Sequence, residues 1–462
     1  MSSAPFSRGS PTVCAAGPDP TEGSGATGVG SLHVSTTEHP GPERHASWLE
    51  LFFDLVVVAG IGTLAHLIHA DHGAGGLALY AIAFVAFWMV WACFTTYGNV
   101  TGEATRARPM LLGMAALAVM MAAVPEINGE HATAFSIAYV VGRILASRPF
   151  QRGTVVLDLP VVQALGGVVP WMVSWWFDGT VVYILWALGL AIDVIVLLAI
   201  SGPRLAQNAQ ERLDELRGRT AGRGRRGRPG RPGRREPAPG RRRGRERHGD
   251  RELPETVSTL ASDEPHLGER LGLFVIIVLG EGLIQSIAAA GEASWDGNLA
   301  LAGAGTFVLL VTLWALAVRG GYAGVALLGT GAVPPRVAWP LHLVSSGALA
   351  TLVAVLGGVL AAPEETLAQD VLWILLVAFL IYGLVGTAVH LILGARGRAR
   401  HGVRNALLLG VPTVVAAAVL AIAGDALTAG RQVWVLALAL LLSYLGSVRG
   451  IEPPGGTQSA TD

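Results

Sequence analysis

Trp48-Leu49-Glu50-Leu51-Phe52-Phe53-Asp54-Leu55-Val56-Val57-Val58 opens an apolar run that continues to about residue 70. A helix needs roughly 20 mostly apolar residues to cross the hydrocarbon core of a bilayer, and this run has that length. Two carboxylates lie inside it. Glu50 and Asp54 are four residues apart, so a helix places both on one face. An ionised group at the bilayer centre costs at least roughly 2.5 kcal/mol on insertion scales, and those that persist face a bundle interior. The stretch therefore reads as one helix of a multi-helix membrane protein.

The rest of the chain extends that reading. Hydrophobic residues make up 52% of it and charged residues 14%, and mean hydropathy is +0.52. A soluble domain carries about a quarter charged residues, so lipid is the expected solvent. Further apolar runs lie at about 77–97, 108–125, 132–149, 154–177 and 179–201, then at about 267–290, 298–318, 337–361, 369–393, 402–423 and 427–448. This predicts an all-α polytopic bundle of about twelve transmembrane helices. Two of the runs, 108–125 and 132–149, are short enough to be partly re-entrant.

Arginine placement gives an independent check. The 33 basic residues are all Arg, and seventeen of them lie between Gly202 and Pro265, although the net charge is +0. Short cytoplasmic loops are enriched in Lys and Arg. With the N-terminus inside, the even-numbered connections carry Arg106 and Arg108, Arg148 and Arg152, the basic linker, Arg319 and Arg336, and Arg396, Arg398, Arg400 and Arg404. The odd-numbered ones carry Asp71, Glu126, Glu130, Asp178, Glu292, Asp296, Glu364 and Glu365, with Arg431 as their one basic residue. The alternation predicts a multi-pass protein of the cytoplasmic membrane with both termini inside.

Five regions follow: a disordered tail over 1–44, a first six-helix half over 45–201, a disordered Arg-rich linker over 202–265, a second six-helix half over 266–450, and a tail over 451–462. Gly and Pro between the arginines of the linker oppose a helix and a packed core. Attraction to anionic lipid headgroups is open to it. Nucleic acid is not an expected partner, because no aromatic residues interleave with the arginines. The tail over 1–44 lacks the apolar centre of a signal peptide. Two six-helix halves allow a parallel repeat, and aligning Glu50 with Glu269 sets Leu55-Val56-Val57-Val58 on Phe274-Val275-Ile276-Ile277.

Further ionisable residues fall within the apolar runs: Arg143, Asp158, Asp193, Glu269, Arg270, Glu281, His342 and His390. Repulsion between Glu50 and Asp54 requires a proton or a cation beside them, and Arg143 is a candidate partner. Two readings stay open for the set: a proton or ion relay lining a substrate path, or a salt-bridge network that locks packing. Snorkelling applies to Glu50, Glu269, Arg270 and His390 near helix ends. Glu281, in Gly280-Glu281-Gly282 with Gln285 one turn later, is the leading single candidate for a proton or substrate site, since flanking glycines admit a close backbone or an unwound turn. His66, His69, Asp71 and His72 have spacing that Zn²⁺ would accept, but ordinary polar residues at a helix end account for them. No cofactor is expected. Cys14 and Cys93 predict no disulfide framework, and no motif selects an enzymatic reaction.

Three features resemble the bacterial low-temperature-requirement A family: the stretch from Ser47 to Val56, the stretch His266-Leu267-Gly268-Glu269-Arg270 through Gly280-Glu281, and His342 in the ninth run. Arg143 and Asp193 are similar to the family's single Arg and Asp in the fourth and sixth helices. The Arg-rich linker lies outside the family pattern, and Gly282 stands where the family has serine. The resemblance implies a multi-pass membrane protein and marks residues, without supplying a reaction or substrate. A proton-coupled transporter or ion-conducting protein is the leading expectation, and a non-transporting structural or stress-adaptation membrane protein is the alternative.

Overall fold

A computed structural model describes residues 45–150, 154–226, 256–320, 333–397 and 401–448. Within them lie thirteen α-helices and one two-stranded sheet. Ten of the helices are long and apolar enough to cross a membrane. In chain order the elements are α1 (Trp48–Ala70), α2 (Ala74–Thr101), α3 (Ala107–Ala123), α4 (Ala132–Ser147), β1 (Thr154–Val156), α5 (Val168–Val173), α6 (Thr180–Ala199) and α7 (Gly202–Arg226). After these come β2 (Ser258–Leu260), α8 (Glu264–Glu292), α9 (Gly297–Gly320), α10 (Pro335–Ala361), α11 (Gln369–Ala395), α12 (Gly402–Ala423) and α13 (Ala429–Val448).

The helical bundle is as the sequence predicts, but the expected twelve spans become ten among the described residues. The fourth run, α4, has 16 residues, about 24 Å at 1.5 Å per residue, against a hydrocarbon core of about 30 Å. The fifth run, 154–177, is not one helix. It holds β1, a 3-10 turn over Pro160–Val162, the six-residue α5 and a second 3-10 turn over Ser174–Trp176. Hydropathy alone could not show the break; Pro160 and the Gly166-Gly167 pair cause it, through a missing N–H and a backbone with little helix preference.

The linker also differs from expectation at both ends. Residues 202–226 form α7, and β2 pairs in parallel with β1, Thr154 opposite Ser258 and Val156 opposite Leu260. Up to about residue 217 the segment is rich in Leu, Ala, Gln, Glu and Arg, all good helix formers, and Gln210 donates to Asp214 one turn on at 3.0 Å. The Gly-Arg-Pro repeats that follow, over 227–255, lie outside the described residues, as do the tails over 1–44 and 451–462.

The two halves repeat one packing order. In the first, α1 packs on α2 and α3, α3 on α4, α4 on α5, α5 on α6, and α6 returns to α2. In the second, α8 packs on α9 and α10, α10 on α11, α11 on α12, α12 on α13, and α13 returns to α9. The halves meet where α1 and α2 pack on α8 and α10. There α2 is buried continuously from Ala86 to Asn99, because helices cover it on all sides. Glycine permits one close approach in this seam: Gly62 of α1 faces the Glu281 carboxylate of α8, which a Cβ would overlap.

Candidate functional site

Ser47 caps α1. Its backbone N–H and hydroxyl donate to Glu50 Oε2 at 2.9 and 2.8 Å, and the Glu50 N–H donates back to the Ser47 hydroxyl, a complete capping box. The cap holds Glu50 one turn from the helix start, pointing into the bundle, and one turn later Asp54 points the same way. Both are buried. Arg270 of α8 reaches them across the seam between the halves. Its Nε donates to Asp54 Oδ2 at 2.9 Å and one Nη to Oδ1 at 2.6 Å, a bidentate pair. The other Nη lies 3.2 Å from Glu50 Oε1. Trp91 of α2 donates its indole N–H to Asp54 Oδ1 at 2.7 Å.

His266 completes the cluster, with Nε2 3.6 Å from Glu50 Oε2. Its protonation follows from its neighbours. The Asp263 N–H donates to Asn99 Oδ1 at 2.8 Å, which fixes that amide's orientation. Asn99 Nδ2 then donates to the Asp263 carbonyl and faces His266 Nδ1 at 3.2 Å. Nδ1 therefore accepts, and Nε2 carries a hydrogen toward Glu50. Glu50 and Asp54 thus share the Arg270 guanidinium across the seam between the halves.

A second network lies within the first half. Arg143 of α4 pairs with Asp193 of α6, both fully buried, and also donates to the Tyr139 hydroxyl at 2.9 Å. One Nη donates to the carbonyls of Val161 and Ala164 at 3.0 and 3.3 Å. Those carbonyls belong to the interrupted fifth run, where broken backbone at membrane depth must find partners inside the protein. Gly167 and Gly189 let that segment approach α6, for a Cβ on Gly167 would overlap the Asp193 carboxylate.

His342 of α10 sits in an aromatic cage. Trp91 and Phe274 have ring centroids 5.2 and 5.1 Å from it, and Trp88 and Trp339 complete the wall. Trp88 donates to Nδ1 at 3.0 Å and Nε2 faces the Leu271 carbonyl at 3.3 Å. Nδ1 thus accepts and Nε2 donates.

The family model for the bacterial low temperature requirement A protein (LtrA) matches residues 45–443, a span that takes in all of these groups. The chain belongs to the LtrA family. It matches no curated protein and no solved structure. In this LtrA protein the stretch from Ser47 to Asp54 and the stretch from His266 to Arg270 build one cluster. Gly282, where the resemblance leads one to expect serine, packs on Val353 so closely that a Cβ would require a shift.

Several expectations need correction. Arg143 is not the partner of Glu50 and Asp54; Arg270 is, because α8 and not α4 faces α1 at that level. Glu50 and Arg270 do not snorkel, since both are buried. Asp158 is in no helix and accepts from the Ser262 N–H at 2.7 Å, joining the start of the broken run to the end of the linker. Glu269 stands apart, partly exposed, accepting from the Ala46 N–H at 3.1 Å. Glu281 accepts from Gln285 at 3.1 Å, farther along α8 than the main cluster. Of the residues at the C-terminal end of α1, Asp71 accepts from the Gly73 N–H, and His72 lies 3.3 Å from Asp370. Among the described residues no group of His, Cys, Asp and Glu could hold a metal ion.

Sequence reasoning missed Trp88, Trp91, Asn99 and Thr95, whose hydroxyl accepts from an Arg270 Nη at 3.4 Å. Their spacing of three, four and four residues along α2 is the signal that puts them on one face. His266 carried a signal too, four residues before Arg270.

Proposed function

We propose that this LtrA-family protein is a proton-coupled transporter whose two halves move against each other. The Glu50, Asp54, His266 and Arg270 cluster would clamp them at one end. The observation that carries this reading is a buried cluster of two carboxyls, a guanidinium and an imidazole that bridges the halves. Protonation of a carboxylate in the clamp would weaken its pairing with Arg270, so a proton taken up there favours separation of α1 from α8. Arginine placement along the sequence supports a cytoplasmic position for this end, in the cytoplasmic membrane with both termini inside. Glu281 and Gln285 would take the substrate or proton farther along the same seam, where Gly62 leaves room.

Purified protein in liposomes loaded with a pH-sensitive dye tests this under an imposed potential, against a panel of ions and metabolites. At least one condition should drive proton movement. Glu50→Gln retains the capping box, because Gln serves at that position as well, and should abolish the pH dependence; Glu281→Gln should abolish the movement itself. Protein-free rates across the whole panel would defeat the proposal. The Arg143 network favours a second reading for its own residues: every partner of that guanidinium is structural, so Arg143 and Asp193 hold the broken run in place and carry nothing.

A further inference from the structure

A long groove opens between α2 of the first half and α10 and α11 of the second. Its volume is about 620 Å³, within the roughly 300–1,000 Å³ of ordinary ligand sites. Leu77, Phe84, Leu343, Ile374 and Ile381 are among its walls, and it is almost wholly apolar. Its two ionisable groups, His72 and Asp370, stand together at one end, 3.3 Å apart. His72 lies in the turn between α1 and α2, and Asp370 in the first turn of α11. Both are thus at the ends of membrane-spanning helices, where headgroups begin. Trp373, half exposed beside them, is the residue type that favours this interface.

The groove's length identifies its occupant. Along α11 its lining runs from Asp370 to Ile381, about 16 Å at 1.5 Å per residue. One leaflet of a hydrocarbon core about 30 Å thick has nearly that depth. A polar end at the interface and an apolar trough one leaflet deep match one acyl chain of a phospholipid. The polar end selects the headgroup. Asp370 offers a carboxylate to an ammonium, and His72, with Nδ1–H turned to Asp370, donates Nε2–H to a phosphate when the ring carries both hydrogens. We propose that this groove binds phosphatidylethanolamine, with one acyl chain between the halves and the headgroup on His72 and Asp370. Walls from both halves make the bound lipid a wedge in the seam. The proposal stands independently of any transport activity.

The test uses the full-length protein in nanodiscs of mixed phosphatidylethanolamine, phosphatidylcholine and phosphatidylglycerol, released into a mass spectrometer under native conditions. The protein should retain phosphatidylethanolamine in preference to the other two. Asp370→Asn should weaken that preference about fivefold, the upper range for an exposed charge pair. Ala81→Trp, at an exposed position on the groove wall, should reduce retention of all three lipids by filling the trough. Thermal unfolding of both variants near the parent temperature shows that they are folded. Equal retention of the three lipids by the parent protein would overturn the headgroup assignment. Unchanged retention in folded Ala81→Trp, or a lipid-free dimer in place of a lipid-bound chain, would overturn the groove as the site.

Discussion

Replacing Arg143 with Met tests the broken fifth run most directly. The guanidinium is fully buried, pairs with Asp193, and donates to the Val161 and Ala164 carbonyls. Methionine fills much of the volume but supplies no donor. Removing one partner of a buried ion pair costs about 3–5 kcal/mol, because the other charge is left without compensation. Hydrogen bonds inside membrane proteins average about 0.6 kcal/mol each, so two orphaned carbonyls add about 1 kcal/mol. The expected loss is about 4–6 kcal/mol. Equilibrium unfolding in mixed micelles with increasing sodium dodecyl sulfate would measure it, with the stacked Trp171 and Trp186, whose centroids are 4.8 Å apart, as the fluorescent reporter. Adding Asp193→Asn should recover about half the loss, because an amide still accepts from Tyr139 and needs no counter-charge. Arg143→Lys should fall between, since one ammonium cannot serve the carboxylate and both carbonyls. A loss under about 1 kcal/mol for Arg143→Met, or a double variant no more stable than the single, would refute the reasoning.

Gly167→Ala should destabilise by about 1–3 kcal/mol, the usual range for overpacking, because its methyl would overlap the Asp193 carboxylate; an unchanged unfolding midpoint would contradict that packing. Asp54→Asn should cost about 1.5–3 kcal/mol by losing the charge-assisted bidentate pair while Glu50 still faces the Arg270 guanidinium, and Glu50→Gln should cost less because the cap survives; the same micelle titration ranks the two. Trp88→Phe removes the donor to His342 Nδ1 and should cost about 1–2 kcal/mol, with the loss of that hydrogen bond visible in the imidazole nitrogen resonances.

The Trp48 stretch alone determined a great deal. Its length and apolarity required a membrane helix, and two carboxylates on one face required a bundle with a proton or a cation beside them. Those conclusions are local, because they depend on helix periodicity and on the solvent each side chain tolerates. The Ser47–Glu50 cap is equally local. The partner was not, because hydropathy and loop charge fix the order and direction of helices but not which one lies beside α1. Arg143 and Arg270 were equally eligible by composition, and packing of α8 against α1 chose Arg270. The same limit explains the fifth run. Its apolar content satisfied the hydropathy rule, while Pro160 and the Gly166-Gly167 pair signalled a break whose carbonyls only Arg143, from another helix, could satisfy. The face of α2 that carries Trp88, Trp91, Thr95 and Asn99 was legible as a spacing but had no meaning until α8 and α10 packed against it. Sequence decided what had to be buried; the tertiary structure decided against what, because ion pairs and cages between helices depend on distances in space that spacing along one chain does not contain.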